Sequence, residues 1–148
     1  MTATRVSFYV ISATDAGSRL GFACRLVEKA YKLRNQIHAH AADASMAKSL
    51  DDLLWTFRQG SFVPHELLGP RSEAGIAPVT IGSADAPGNE PPAADLLVNL
   101  ANEVPAFFDR YPRVAEIIDG SPEGREAGRA RHRFYRDHGI HPETHEVS

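Results

Sequence analysis

One change of hydrophobic period, near Ser18, constrains this chain more than any other feature. Residues 5–12, RVSFYVIS, are rich in β-branched and aromatic side chains and run straight into Thr14-Asp15-Ala16-Gly17. This is a strand ending in a turn. From Ser18 onward Leu20, Ala23, Cys24, Val27 and Tyr31 recur at helical spacing, with Phe22, Leu26 and Leu33 round the side. An apolar face that wide belongs to a helix packed on a sheet and on something else. Residues 36–41, QIHAHA, are short and alternating, a second strand. A second helix starts near Asp43 to Ser45, and its stripe is Leu50, Leu53, Leu54 and Phe57. Two strands, each followed by a helix, predict a parallel α/β layer.

The rest of the chain extends that layer. Residues 60–65 are apolar but broken by Pro64, and 69–75 are polar and Gly-rich. A strand is predicted at 78–81. Residues 83–94 hold three prolines and no apolar periodicity, so they should form an exposed loop. Residues 95–100, DLLVNL, read as a buried strand, 103–111 as one helical turn or two, and 113–118 as the last strand. The final helix has the clearest start signal: Ser121 suits the N-cap, Pro122 the first helical position, and Glu123 the helix dipole. Gly139 suits the C′ position. Residues 140–148 read as a polar tail. There is no internal repeat and no domain boundary, which at 148 residues fits a single domain.

Charge and motif content narrow the functions. The formal net charge of −3 makes the whole chain a poor electrostatic trap for nucleic acid. The single cysteine, Cys24, excludes an internal disulfide and a cysteine-rich zinc site. The N-terminus lacks the apolar core and cleavage site of a signal peptide, and no run approaches the ~18 apolar residues of a membrane span. The expectation is a soluble, cytoplasmic protein with no membrane partner. Cys24 sits on the apolar face of the first helix, where a buried, inert thiol is expected. The turn at Asp15-Ala16-Gly17-Ser18 lies where a mononucleotide fold would hold phosphate, but neither GxGxxG nor GxxxxGK[ST] is present. A nucleotide-binding or transferase enzyme on such a fold is the alternative reading, and it rests on this turn alone. His38 with His40, and His138, His141 and His145, have metal-like spacings without the preorganisation a site needs. No catalytic residue, metal or cofactor is expected.

Two constellations point to binding. In the final helix Arg125, Arg129, His132 and Arg136 form one stripe at 100° per residue, flanked by Arg133. Ala127, Ala130 and Phe134 fall on the opposite side and are expected to face the core. Between Arg125 and Arg136 stand five arginines and one acid, Glu126. Such a stripe is either a solvated helix face or an anion site, because arginine forks bind carboxylates bidentately. Beside apolar Ile117 and Ile118 it suits an acidic peptide with a hydrophobic end better than duplex DNA. The second constellation is Trp55 with Phe62, Val63, Pro64 and His65. It either fills a small second core or anchors an interface.

Residues 53–57, LLWTF, followed by 61–67, SFVPHEL, resemble the signature of the DNA polymerase III chi subunit family. So do Phe8-Tyr9-Val10, residues 95–100, and the stretch from Arg129 to Tyr135-Arg136. The resemblance covers nearly the whole chain in order. It implies a mononucleotide-binding-like (Rossmann-like) α/β domain, three layers with helices on both faces of the sheet, that binds no nucleotide. It implies a non-catalytic accessory part of a DNA-directed DNA polymerase (nucleotidyltransferase) complex in DNA replication, with no direct specific DNA binding. Two protein partners follow. One is the psi subunit, which joins chi to the clamp loader. The other is the acidic, phenylalanine-ended C-terminal tail of single-stranded DNA-binding protein. Family members also pair with an XPD-like helicase at the psi surface. By this resemblance Trp55, Phe62, Val63 and Pro64 fall on the psi-facing surface. Arg125, Arg129 and His132 fall on the tail-binding helix, and Ile117 and Ile118 beside it. His132 departs from the pattern, which places a larger aromatic there.

Overall fold

The period change near Ser18 coincides with an element boundary: β1 (Arg5–Ile11) ends and α1 (Ala16–Lys32) begins across one turn. The computed structural model describes residues 4–60, 62–68, 77–85 and 91–147. Ser61, the Gly-rich stretch from residue 69 and residues 86–90 of the predicted loop lie outside the described residues. Asp15 caps α1, its carboxylate accepting from the Ser18 N–H at 2.8 Å. Then follow β2 (Ile37–Ala41) and α2 (Ala44–Thr56), the latter capped by Asp43 through the Met46 N–H at 2.7 Å. The remaining elements are β3 (His65–Leu67), β4 (Val79–Ser83), β5 (Leu96–Asn99), a 3₁₀ turn at Phe108–Arg110, β6 (Arg113–Ile118), α3 (Pro122–Asp137) and β7 (Glu143–Val147). Ser121 caps α3 through the Gly124 N–H, and Gly139 closes it at φ 79°.

All strand pairs are parallel, and the order is β3-β4-β2-β5-β6-β1-β7. The result is a single three-layer α/β domain. Adjacent residues on each central strand feed opposite layers. On one face Ile37, Ala39, Val98 and Ile117 pack under Ala23, Cys24 and Val27 of α1 and Leu50 and Leu54 of α2. On the other, Val6, Phe8, Leu97 and Val114 pack with Phe108, Tyr111 and α3's Tyr135. Burial pushes the Cys24 thiol up to about 12, so it is inert at neutral pH.

Three expectations need correction. Strand β2 is buried at every position and β6 at four in a row, because both faces of a central parallel strand are covered, for β2 by α1 and α2 on one side and by Phe107 and Tyr111 on the other; the apparent alternation of β2 carries no information about exposure. Strand β6 is not the last, since the polar tail contains β7. It pairs with β1 from Ser7↔Glu143 to Ile11↔Val147. An edge strand held by one ladder of backbone bonds needs no apolar pattern, which is why ETHEV looked like tail. Strand β3 also went unpredicted, being three residues long and preceded by Pro64.

The buried polar groups of β2 give the fold a pH dependence. His38 Nδ1 lies 2.8 Å from Thr80 Oγ1, and its ring stacks on Tyr111. Burial, and secondly the neighbouring His40, hold His38 down to about 4. The native state therefore keeps this imidazole neutral while the unfolded chain takes up a proton near pH 6.5. Stability present above that value is lost as pH falls from about 6.5 towards 4, by roughly 2–3 kcal/mol. Urea unfolding between pH 4.5 and 7.5 should show this slope, and His38→Gln should flatten it; an unchanged slope in the variant would assign the effect elsewhere.

Candidate functional site

The rotation of α3 is set from inside the protein. Glu116 on β6 is fully buried, at 0% exposure. Its Oε1 accepts from Arg131 Nε at 2.8 Å, and its Oε2 accepts from Tyr135 Oη at 2.6 Å and Asn99 Nδ2 at 2.9 Å. Arg131, 4% exposed, also donates to the Asn102 carbonyl. Burial pushes the Glu116 carboxyl up, while Arg131 and the hydrogen bonds from Tyr135 and Asn99 pull it down. Gly128 sits against Ile118, where a Cβ would collide with that side chain. The inward residues are thus Gly128, Arg131 and Tyr135. This corrects the expected inward set: Ala130 is exposed, while Ala127 and Phe134 lie half-buried on the flanks. A charged residue faces inward because a buried carboxylate waits for it, a pairing invisible on a helical wheel.

The outward side of α3 carries the predicted stripe. Arg125, Arg129, Arg133 and Arg136 are exposed. Among the described residues none of the four has an ion-pair partner. A shallow groove of about 420 Å³ is lined by Arg129, His132, Arg133, Arg136, Asp137 and His141. His132 is half-buried with its ring 5.3 Å from that of Phe8, so it does part of an aromatic's packing. Arg125 stands one turn towards the helix N-terminus and outside this groove.

Ile117 and Ile118 are not together. Ile117 is buried beneath α1 and Ile118 points to α3, because neighbouring strand residues face opposite layers. Both border a separate cavity of about 200 Å³, with Arg19, Asp119, Gly124, Ala127 and Arg131 around it. The arginine groove and this cavity share no lining residue and flank α3 on different sides. Arg19 was not anticipated. It donates from Nε to the Ile117 carbonyl at 2.9 Å and from Nη1 to the Leu100 carbonyl at 3.1 Å. Its only sequence signal is a cation beside the apolar stripe of α1.

The aromatic constellation lies at the β3 edge. Trp55 is 51% exposed and Phe62 66%, with ring centroids 6.0 Å apart. Exposed Leu67 on β3 also belongs to this edge, although nothing in the sequence marked it. Pro64 is half-buried, but Val63 is 1% exposed and sits in the core beneath α2. Val63 therefore supports the surface without offering its side chain to it. His65 is buried and pins the loop, its Nδ1 2.6 Å from the Val63 carbonyl and its Nε2 3.1 Å from the Asp51 carbonyl. Trp55 packs on its ring at 4.3 Å. The other histidines are dispersed: His138 donates to the Phe134 carbonyl, and His145 stacks on Tyr9. Among the described residues no helix is long and apolar enough to cross a membrane.

Comparison with known proteins places this geometry. By structure, the chain is similar to the C-terminal domain of the DEAD-box protein Dbp5, with TM-score 0.66 and 13% identity over 97% of this chain and 91% of that one. It is also similar to T4 UvsW, with TM-score 0.61 and 10% identity over 99% of this chain and 42% of that one. At such identities the likeness concerns the fold alone. By sequence, it is 42% identical to DNA polymerase III subunit chi of Pseudomonas aeruginosa over 97% of both chains. It is 25% identical to that of Escherichia coli over 82% of this chain and 80% of the relative. The family described as DNA polymerase III chi subunit, HolC, matches residues 3–143. The family match over residues 3–143 and the 42% identity across nearly the whole of both chains agree: the chain belongs to the DNA polymerase III chi subunit family.

Proposed function

We propose that the chain is a non-catalytic connector in the replication complex, joining the clamp loader through psi to the acidic tail of single-stranded DNA-binding protein. The observation that carries this reading is the outward face of α3. Four exposed arginines without ion-pair partners among the described residues stand on a chain of net charge −3. Arg129, with Arg125 along the helix, binds the tail's carboxylates as forked donors. His132 adds a further donor at the groove. The tail's phenyl ring needs an apolar seat, and Ile118 at the cavity across α3 is nearer the surface than buried Ile117. Contacts of this kind form quickly and weaken with salt, which suits a reversible link.

The aromatic edge is the psi surface in this reading. Trp55, Phe62 and Leu67 face the partner, Pro64 stiffens the loop, and Val63 holds it from below. An XPD-like helicase would compete for the same edge. Phe62→Ala should weaken psi binding by about 2 kcal/mol or more, as aromatic anchors do. Being exposed, it should leave the melting temperature unchanged. Isothermal titration with purified psi measures the first and calorimetry the second; psi binding at wild-type strength would remove Phe62 from the interface.

The test of the whole reading is a fluorescence-polarisation titration with an acidic, phenylalanine-ended peptide at low and high salt. Saturable binding that weakens with salt and vanishes without the terminal phenylalanine is expected. No binding at low salt would reduce the partners to psi alone.

A further inference from the structure

Away from both surfaces, the α1 side of the sheet is only partly covered. Helix α1 begins over the C-terminal ends of β6 and β5, where Arg19 bonds the Ile117 and Leu100 carbonyls. At its other end Ala30 packs into the cluster that holds Ile37 of β2. Packing on β2 and β6, it leaves the side of β1 that carries Arg5, Ser7 and Tyr9 without a covering helix. The burial of β1 records this: Val6 and Phe8 are buried on the α3 side, while Ser7 and Tyr9 on the α1 side are only half-buried. The opening is a groove of about 490 Å³.

Its floor has a definite chemistry. Arg5 and Arg113 are paired in register on adjacent strands. Their Cβ atoms therefore leave the same face of the sheet, on backbones about 4.8 Å apart. Both are exposed, and neither has an ion-pair partner among the described residues. Like charges directly opposite one another destabilise a sheet, so this position favours an anion between them. Two residues further along β1 comes the hydroxyl of Ser7, and two beyond that the ring of Tyr9, both lining the groove. Tyr9 stacks with His145 of β7 at 5.2 Å and 24°, and its other neighbour is Phe22 at 5.6 Å, under the Arg25 guanidinium. The acid of this floor, Glu143, lies 3.6 Å from His145 Nε2. Arg5 to Tyr9 spans about 13 Å of strand. Cations thus stand near this aromatic run, Arg25 over Phe22 and the Arg5–Arg113 pair four residues along the strand from Tyr9.

We propose that this groove binds single-stranded nucleic acid without sequence preference, a phosphate lying between Arg5 and Arg113 and a base against the Tyr9–His145 stack. A cationic groove beside aromatic faces is what sequence-tolerant single-strand sites use, each base–aromatic stack adding to a salt-sensitive backbone term. An acidic peptide would use the arginines but leave the ring stack idle. The groove lies at the β1–β7 side of the sheet, and the inference is independent of the connector reading.

The test uses the full chain, ¹⁵N-labelled and titrated with a short oligothymidylate at low salt. The amide shifts should centre on Arg5, Ser7, Tyr9 and Arg113. Arg5→Ala with Arg113→Ala should weaken binding about tenfold or more, and His145→Ala, on an exposed edge strand, should weaken it several-fold. Shifts centred on the α3 arginines, wild-type affinity in the double variant, or no saturable binding would overturn the proposal. Equal affinity for thymidine monophosphate would replace the single strand with a free nucleotide. Displacement by the acidic peptide, with no loss in His145→Ala, would make the site a peptide site.

Discussion

Glu116→Leu should cost the folded chain about 3–5 kcal/mol, the largest stability loss expected from a single substitution here. The carboxylate is fully buried and accepts from Arg131, Tyr135 and Asn99. Removing it leaves the Arg131 guanidinium charged, desolvated and without its partner. The same change also frees the Tyr135 hydroxyl inside the core. Replacing both members of the ion pair, Glu116→Leu with Arg131→Met, should recover much of the loss, because an apolar pair of similar volume avoids the desolvation cost. Urea denaturation of the two single variants and the double variant closes the cycle. Equal and additive losses would mean that the pair is not a coupled unit. Since this network fixes the rotation of α3, the single variants should also disturb any binding that depends on the outward face.

The second large effect concerns binding. On the connector reading, Arg129→Ala should weaken the acidic, phenylalanine-ended peptide by about tenfold to a hundredfold, the range for losing a hydrogen bond to a charged group. Arg129→Glu should weaken it further through repulsion. Neither change touches the core, because Arg129 is exposed, so the melting temperature should hold. Arg131→Ala is the contrasting control. The sequence places the two arginines two residues apart in one basic run, yet Arg131 is inside and its loss should appear as unfolding. Unchanged peptide affinity in Arg129→Ala would move the anion site elsewhere, and the salt dependence of the wild type would then have to arise from other cations.

Much of the architecture could be read from local chemistry. The caps Asp15, Asp43 and Ser121, the closing Gly139, and the apolar stripes of α1 and α2 each depend on neighbours within a few residues. Such short-range rules act before the chain folds, so they are written in the order of the residues. Segment β7 escaped because its stability comes from the backbone ladder with β1, more than a hundred residues earlier. The inward face of α3 escaped for a related reason. A helical wheel ranks residues by polarity, and only a partner on another strand makes Arg131 an interior residue.

The candidate surfaces divide in the same way. The chain's own order supplied the basic run of α3, the aromatic constellation of Trp55 and Phe62 with its exposure left open, and the absence of phosphate-binding glycines. Those are properties of residue type and spacing. Tertiary structure decided which members of each set reach solvent: it buried Val63 and Ile117, turned Arg131 inward, added Leu67 to the aromatic edge, and brought Arg5 beside Arg113 from opposite ends of the chain. The physical reason is that a parallel strand sends successive side chains to opposite layers, and exposure depends on what those layers put above them.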